Sequence, residues 1–247
     1  MRKNKLLALG LAALMAASVA GCSTPSASVD DTKAAESGSD SSQSAAAGEK
    51  IFRYSNLADI ATIDPDKTNS VADATVSYHI YDGLYRNVQG ELQPATAESY
   101  EVSEDGLVYT FKLRQDTKWS DGQTVTAKDY EYGMKRLCDP AAACPSSYLG
   151  AVLKNGAKVS SGELSVDELG VKALDDFTLE ITLENPADYF VSMTSMSAFM
   201  PVREDLVEKY GNEFGGSADK QVYNGPFVVS EYSNGKVELT KNPDYYD

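Results

Sequence analysis

The order of apolar and polar positions divides this chain into short strands and helices. The clearest stretch is YEVSEDGLVYTFKLR, where Val108, Thr110 and Lys112 alternate with Tyr109, Phe111 and Leu113 after a Ser103-Glu104-Asp105-Gly106 turn. Period-two alternation on both sides of a glycine turn predicts a hairpin. ELGVKALDDFTLEITLENP predicts a second one around Asp175-Asp176, and YNGPFVVSEYSNGKVELTKNPDYYD a third around Ser233-Asn234-Gly235. Elsewhere the spacing is helical. Val76, Ile80 and Leu84 fall on one face of DATVSYHIYDGLYR, with Gly83 late in the segment. Thr126-Ala127-Lys128-Asp129 has the layout of an N-terminal cap and follows an Asp121-Gly122 turn; Asp139-Pro140 should stop that helix. ADYFVSMTSMSAFMPV predicts a buried helix ending before Pro201, its Met and aromatic stripe forming core. REDLVEKYGNEF predicts a short helix closed near Gly211. KIFRYSNLADIATIDPD opens with an alternating stretch and breaks at Asp64-Pro65. Strands and helices are mixed and hairpins dominate, so the expected class is α+β.

The first 21 residues change the picture. Arg2, Lys3 and Lys5 precede the apolar run LLALGLAALMAASVA, which is too short to span a bilayer comfortably. Val19-Ala20-Gly21-Cys22 resembles the lipobox of bacterial lipoproteins, which implies cleavage before Cys22 and lipidation of its thiol. An ordinary signal peptide with an incidental cysteine is the alternative. Residues 22–49 would then be the lipidated cysteine and a Ser-, Ala- and Gly-rich tether with nothing to build a core from. Losing residues 1–21 removes three basic and no acidic side chains, taking the formal net charge from −15 to −18. Such a surface repels phosphates, and no basic patch interleaved with aromatics occurs, so no nucleic-acid partner is expected.

Catalytic and metal chemistry find little support. His79 is the single histidine and lies in a predicted core helix, where a structural role is the expectation. No Gly-x-Ser-x-Gly elbow, His-Glu-x-x-His or phosphate loop is present. Ser217-Ala218-Asp219-Lys220 fits the Ser-x-x-Lys pattern of penicillin-recognising enzymes, without its companion motifs. Asp59, Asp64 and Asp66 lack calcium-loop spacing and read as turn carboxylates. Cys138 and Cys144 do not have zinc-knuckle spacing; a disulfide across LCDPAAACPSS and two small buried thiols both stay open. No cofactor, metal site or enzyme activity is expected, and a binding role moves ahead.

Three blocks carry a family resemblance. LQPATAESYEVSEDGLVYTFKLRQDTKWSDGQTVTAKDYEYGMKRLCDP contains Pro94, Ala97-Glu98-Ser99, Tyr109-Thr110-Phe111, Lys118-Trp119-Ser120-Asp121-Gly122, Thr126-Ala127, Asp129 and Asp139-Pro140 in order. With LGVKALDDFTLEITLENPADYF and the hairpin from Tyr223 onward, it resembles the extracellular solute-binding proteins of family 5 over about residues 50–247. These are the oligopeptide- and dipeptide-binding components of ABC importers.

The resemblance implies the first lobe of a type II periplasmic-binding-protein-like clamshell, with the second lobe and the C-terminal return missing, so that the chain reads as truncated. Residues 50–81 and 201–247 would form the incomplete ligand-binding lobe, and residues 82–200 an extra α+β domain. Asn69, Ser70 and Val71 match the segment that pairs with a peptide backbone, and Asn224 with its neighbour Tyr223 matches a position near the ligand. Tyr148 is a shifted candidate for a family tyrosine. For Asn69 and Asn224, turn formation is the open alternative.

The expected protein is a lipid-anchored, extracytoplasmic receptor on the bacterial cell membrane. It would capture oligopeptides and deliver them to ABC permease subunits. Uptake of a nickel chelate, sugar or opine by the same fold, a surface sensor, and an enzyme using Ser217 and Lys220 are the alternatives.

Overall fold

Among the described residues from Arg53 to Asp64 none lies in a strand, so the alternation there is not seen as a paired element. The computed structural model describes residues 51–56, 58–233 and 236–247; the expected leader, Cys22 and the tether to residue 49 lie outside them. Arg53–Asp247 form one unit, described below.

Helix α1 (Val71–Ile80) starts where the Ser70 hydroxyl accepts the Asp73 N–H at 3.0 Å. It ends at Ile80, one turn earlier than the periodicity through Leu84 predicts. Two close approaches stop it. A Cβ on Gly83 would lie 2.3 Å from the Thr194 carbonyl oxygen, and the Asn224 side chain takes the Asp82 backbone. The chain then enters a hairpin absent from the sequence reading, β1 (Tyr85–Val88) and β2 (Glu91–Pro94). Its turn residues Gln89 and Gly90 both have positive φ, +55° and +92°, the geometry of the tightest antiparallel connections.

The central sheet has four antiparallel strands in the order β3 (Ala97–Val102), β4 (Val108–Leu113), β6 (Thr178–Thr182) and β5 (Val171–Asp175). Both predicted hairpins are present, and they join through β4 and β6, with Tyr109 opposite Ile181 and Phe111 opposite Leu179. This register puts Tyr109, Phe111, Leu113, Leu179 and Ile181 on one buried face. Helix α2 (Ala127–Cys138) covers the β5–β6 side, burying Tyr130, Met134 and Leu137 at helical spacing. A short helix α3 (Gly156–Ser160) packs beside it. Over β4 lies α4 (Phe190–Met193), whose Phe190 ring meets Tyr109 edge-on at 5.1 Å.

The single helix predicted from Ala187 to before Pro201 is broken. One turn of α4 is followed by a separate 3-10 turn at Ser197–Phe199. The Thr194 and Ser195 hydroxyls donate to the Val191 and Ser192 carbonyls at 2.7 Å each, a local alternative to the helical ladder. The stripe is nonetheless core, with Phe190, Phe199 and Met200 buried. Helix α5 (Glu204–Tyr210) closes at Gly211, φ +54°, and the third hairpin is β7 (Phe227–Ser233) with β8 (Lys236–Lys241).

His79 is exposed at the end of α1 rather than in the core; its Nδ1 lies 2.6 Å from the Thr75 carbonyl. The expected stop at Asp139 is found, as is the expected start of α2. There the Asp129 carboxylate accepts the Thr126 N–H at 2.7 Å, the Thr126 hydroxyl at 3.0 Å and the Trp119 indole N–H at 3.4 Å. Asp129→Ala should therefore cost about 2 kcal/mol in urea denaturation, through a lost cap and stranded donors. A loss below about 0.5 kcal/mol would show that the cap contributes little.

Candidate ligand-binding edge

Residues 63–68 are mostly buried and are gripped from several sides, and the chain reaches the surface at Asn69 and Val71. The Ile63 N–H donates to the Gly215 carbonyl at 3.0 Å, and the Gln221 amide donates to the Ile63 carbonyl at 3.0 Å. Gly215 has φ +72°, and a Cβ there would lie 2.5 Å from the Asp64 nitrogen, so only glycine lets the two segments meet this closely. Asp64 then opens a 3-10 turn, Pro65–Lys67, by accepting the Asp66 N–H at 3.1 Å.

Asp64 and Asp66 are more than turn carboxylates. Both are buried, and both bind Arg136 of α2. Arg136 Nη1 donates to Asp64 Oδ1 at 2.9 Å and to Asp66 Oδ2 at 2.7 Å, while Nη2 donates to Asp64 Oδ2 at 2.6 Å. Asp59 stays exposed and outside this cluster. Nothing in the sequence pointed to Arg136, because its partners lie 72 and 70 residues upstream. Burial pushes the Asp66 carboxyl up to about 7, with Arg136 opposing and the Asp64 charge reinforcing the shift. Asp66 Oδ1 has no hydrogen-bond partner among the described residues, leaving it free to carry the proton.

Beyond the turn, the Lys67 ammonium donates to the Ala142 carbonyl. The Thr68 hydroxyl donates to the Pro65 carbonyl and shares a hydrogen bond with Ser197, both at 2.8 Å, and the Ser146 hydroxyl reaches the Thr68 carbonyl at 3.5 Å. After these anchors the chain is free. Asn69 is exposed, Ser70 caps α1, and Val71 is 86% exposed at the first helical position. Among the described residues, none accepts the N–H of Asn69, Ser70 or Val71. The backbone amides from Thr68 to Ala72 thus have no acceptor among the described residues, as is usual at the start of a helix, and of these residues Asn69 and Val71 are exposed.

Tyr223 and Asn224 lie inside the wall. Asn224 is fully buried; its side chain accepts the Asp82 N–H at 3.1 Å and donates to the Asp82 carbonyl at 2.9 Å. Tyr223, 3% exposed, donates its hydroxyl to the Ala218 carbonyl at 3.0 Å and packs its ring against Tyr81. The Asp82 carboxylate in turn accepts the Tyr245 and Tyr246 hydroxyls at 2.6 and 2.8 Å. Tyr148 lies two residues after Ser146, which reaches Thr68, and shares no hydrogen bond with the other five residues among the described ones. It is 71% exposed and lines a groove of about 340 Å³ with Tyr189, Pro186 and Met193.

Of the open alternatives for the cysteines, the structure has two free, buried thiols rather than a disulfide. The Cys138 sulfur is directed at Gly150 and the Cys144 sulfur at the Arg136 carbonyl, so they face different neighbours. Lys220 pairs with Glu213 at 2.6 Å, which holds its amine above its usual pKa and protonated, the wrong state for a base beside Ser217.

Residues 91–247 match the model of the bacterial extracellular solute-binding proteins, family 5 middle region. The probable deoxycholate-binding periplasmic protein YgiS of Escherichia coli is 38% identical over 205 residues, covering 81% of this chain and 38% of that protein. Among solved structures, the substrate-binding domain of a Bacillus anthracis oligopeptide ABC transporter superposes with a TM-score of 0.79 at 39% identity, covering 81% of this chain and 39% of that one. Listeria monocytogenes OppA bound to peptide gives 0.74 at 38% identity, covering 76% and 38%. The chain thus spans about two fifths of the length of these relatives.

Asp66 makes stability depend on pH in a definite direction. An aspartate in an unfolded chain titrates near about 3.9. From there up to about 7 the folded state keeps a proton that the unfolded state has released. This contribution is full at the acid end and is lost as pH rises through the folded value. Denaturation of wild type and Asp66→Asn from about pH 4 to about pH 8 should show the variant gaining on the wild type as pH rises. A constant difference between them would place the Asp66 titration elsewhere.

Proposed function

Because the chain belongs to the bacterial extracellular solute-binding proteins of family 5, we propose that it forms part of the solute receptor of an ABC importer, and that the solute is an oligopeptide. One observation carries the reading: the Asn69, Ser70 and Val71 amides have no acceptor among the described residues, and they follow a segment fastened to Gly215, Gln221 and Arg136. An extended peptide laid along such an edge gains affinity from main-chain hydrogen bonds, so its side chains can vary. The peptide-bound relative from Listeria monocytogenes supports the same solute class.

In this reading residues 50–81 and 201–247 make the ligand-binding part of the lobe, and residues 82–200 the additional domain. Asn224 and Tyr223 support the cleft wall from behind, Asn224 through the Asp82 backbone. Capture is by closure of a clamshell, in which the peptide stabilises the closed state by its differential affinity, and no bond is made or broken. Lipidation at Cys22 would hold the receptor at the extracytoplasmic membrane face beside its permease. A second reading, a non-peptide solute, is favoured by the similarity to a probable deoxycholate-binding protein.

Val71→Pro separates these readings without disturbing the fold. Proline is accepted at the first helical position, and Ser70 already has the extended conformation, φ −127° and ψ 157°, that a residue before proline needs. The substitution deletes one donor. Calorimetric titration of tetra-alanine into the intact protein should show binding that weakens about tenfold in Val71→Pro, with the melting temperature unchanged. Unchanged affinity would remove the 69–71 edge from the site, and binding of deoxycholate without tetra-alanine would favour the second reading.

A further inference from the structure

The fastenings of residues 63–71 are unequal. Gly215, Gln221, Ala142, Ser146 and Ser197 each contribute a single hydrogen bond. Arg136 contributes three, all charge-assisted, and they span Asp64, which caps the 3-10 turn, and Asp66 within it. A guanidinium that grips both oxygens of Asp64 and one of Asp66 fixes the rotation of the turn as well as its distance from α2. The guanidinium is itself held, lying 5.5 Å over the Phe214 ring, one residue before the Gly215 that packs on Asp64. Buried ion clusters of this kind add little net stability over well-packed apolar residues, so stability alone is a weak reason for this one.

We propose that Arg136 is a positioning residue for solute capture: its fork across Asp64 and Asp66 sets the direction in which Asn69, Ser70 and Val71 leave the wall. The effect on capture rests on the reading of 69–71 as the ligand edge. The grip on the segment does not, and the two are measured separately.

Arg136→Lys keeps the charge and loses the fork, and Asp66→Asn keeps the arginine and weakens one of its three bonds. Neither strands two buried carboxylates, so both proteins should fold. Hydrogen exchange is read at the Asp66 and Lys67 amides, which are bonded to Asp64, with the β4–β6 ladder as internal control. Tetra-alanine affinity of the intact protein is read beside it. Exchange at Asp66 and Lys67 should quicken about tenfold or more in Arg136→Lys, and less in Asp66→Asn, while the ladder is unchanged. Affinity should fall in the same order. Faster exchange with unchanged affinity would keep the grip and overturn the assignment of 69–71 as the ligand edge. Exchange unchanged, or raised equally in the ladder, would overturn the positioning role whatever the affinity does.

Discussion

One guanidinium shared by two buried carboxylates constrains this structure more than any other contact. Charges cannot be taken out of water unless they are paired and hydrogen-bonded. Asp64, Asp66 and Arg136 are each at most 9% exposed, so α2 and the 63–71 segment can be buried only against each other, in an arrangement that joins these groups. Removing one member of such a cluster costs about 3–5 kcal/mol, because the remainder is left charged and unpaired. The cluster holds the 63–68 segment to the helix that covers the central sheet.

A neutral counterpart sits at the other end of α1. Asn224 replaces the hydrogen bonds that the Asp82 backbone would otherwise make to a continuing helix, and Tyr130 of α2 donates to the same carbonyl at 3.1 Å. The Asp82 carboxylate then collects Tyr245 and Tyr246. Helix α2 therefore contributes to both ends of α1, through Arg136 before it and Tyr130 after it. That shared support anchors the chain on both sides of residues 69–71, of which Asn69 and Val71 are exposed.

Features that depend on neighbours in sequence were legible from the chain alone. Alternation around Gly106 and around Asp175-Asp176 specified two hairpins, and the Thr126–Asp129 spacing specified where α2 starts. The ordered motifs from Pro94 to Asp139-Pro140 indicated the family that the later comparisons bear out. Each is a local pattern, set by backbone periodicity, turn geometry or capping within a few residues.

The tertiary structure decided what depends on a distant partner. Helix α1 stops at Ile80 because Asn224, 142 residues away, claims the Asp82 backbone. The helix expected from Ala187 to before Pro201 breaks where hydroxyls compete for its carbonyls, and its apolar stripe is buried either way. Asp64 and Asp66 read as turn residues until Arg136 is packed against them, and His79 read as core until α1 shows which face it turns to solvent. Local patterns in the chain were enough for three hairpins, the start of α2 and the family, and missed the β1–β2 hairpin. Only the fold decided which polar groups lose their water, since the desolvation that makes a charge pair or an amide decisive exists only once both partners have been buried together.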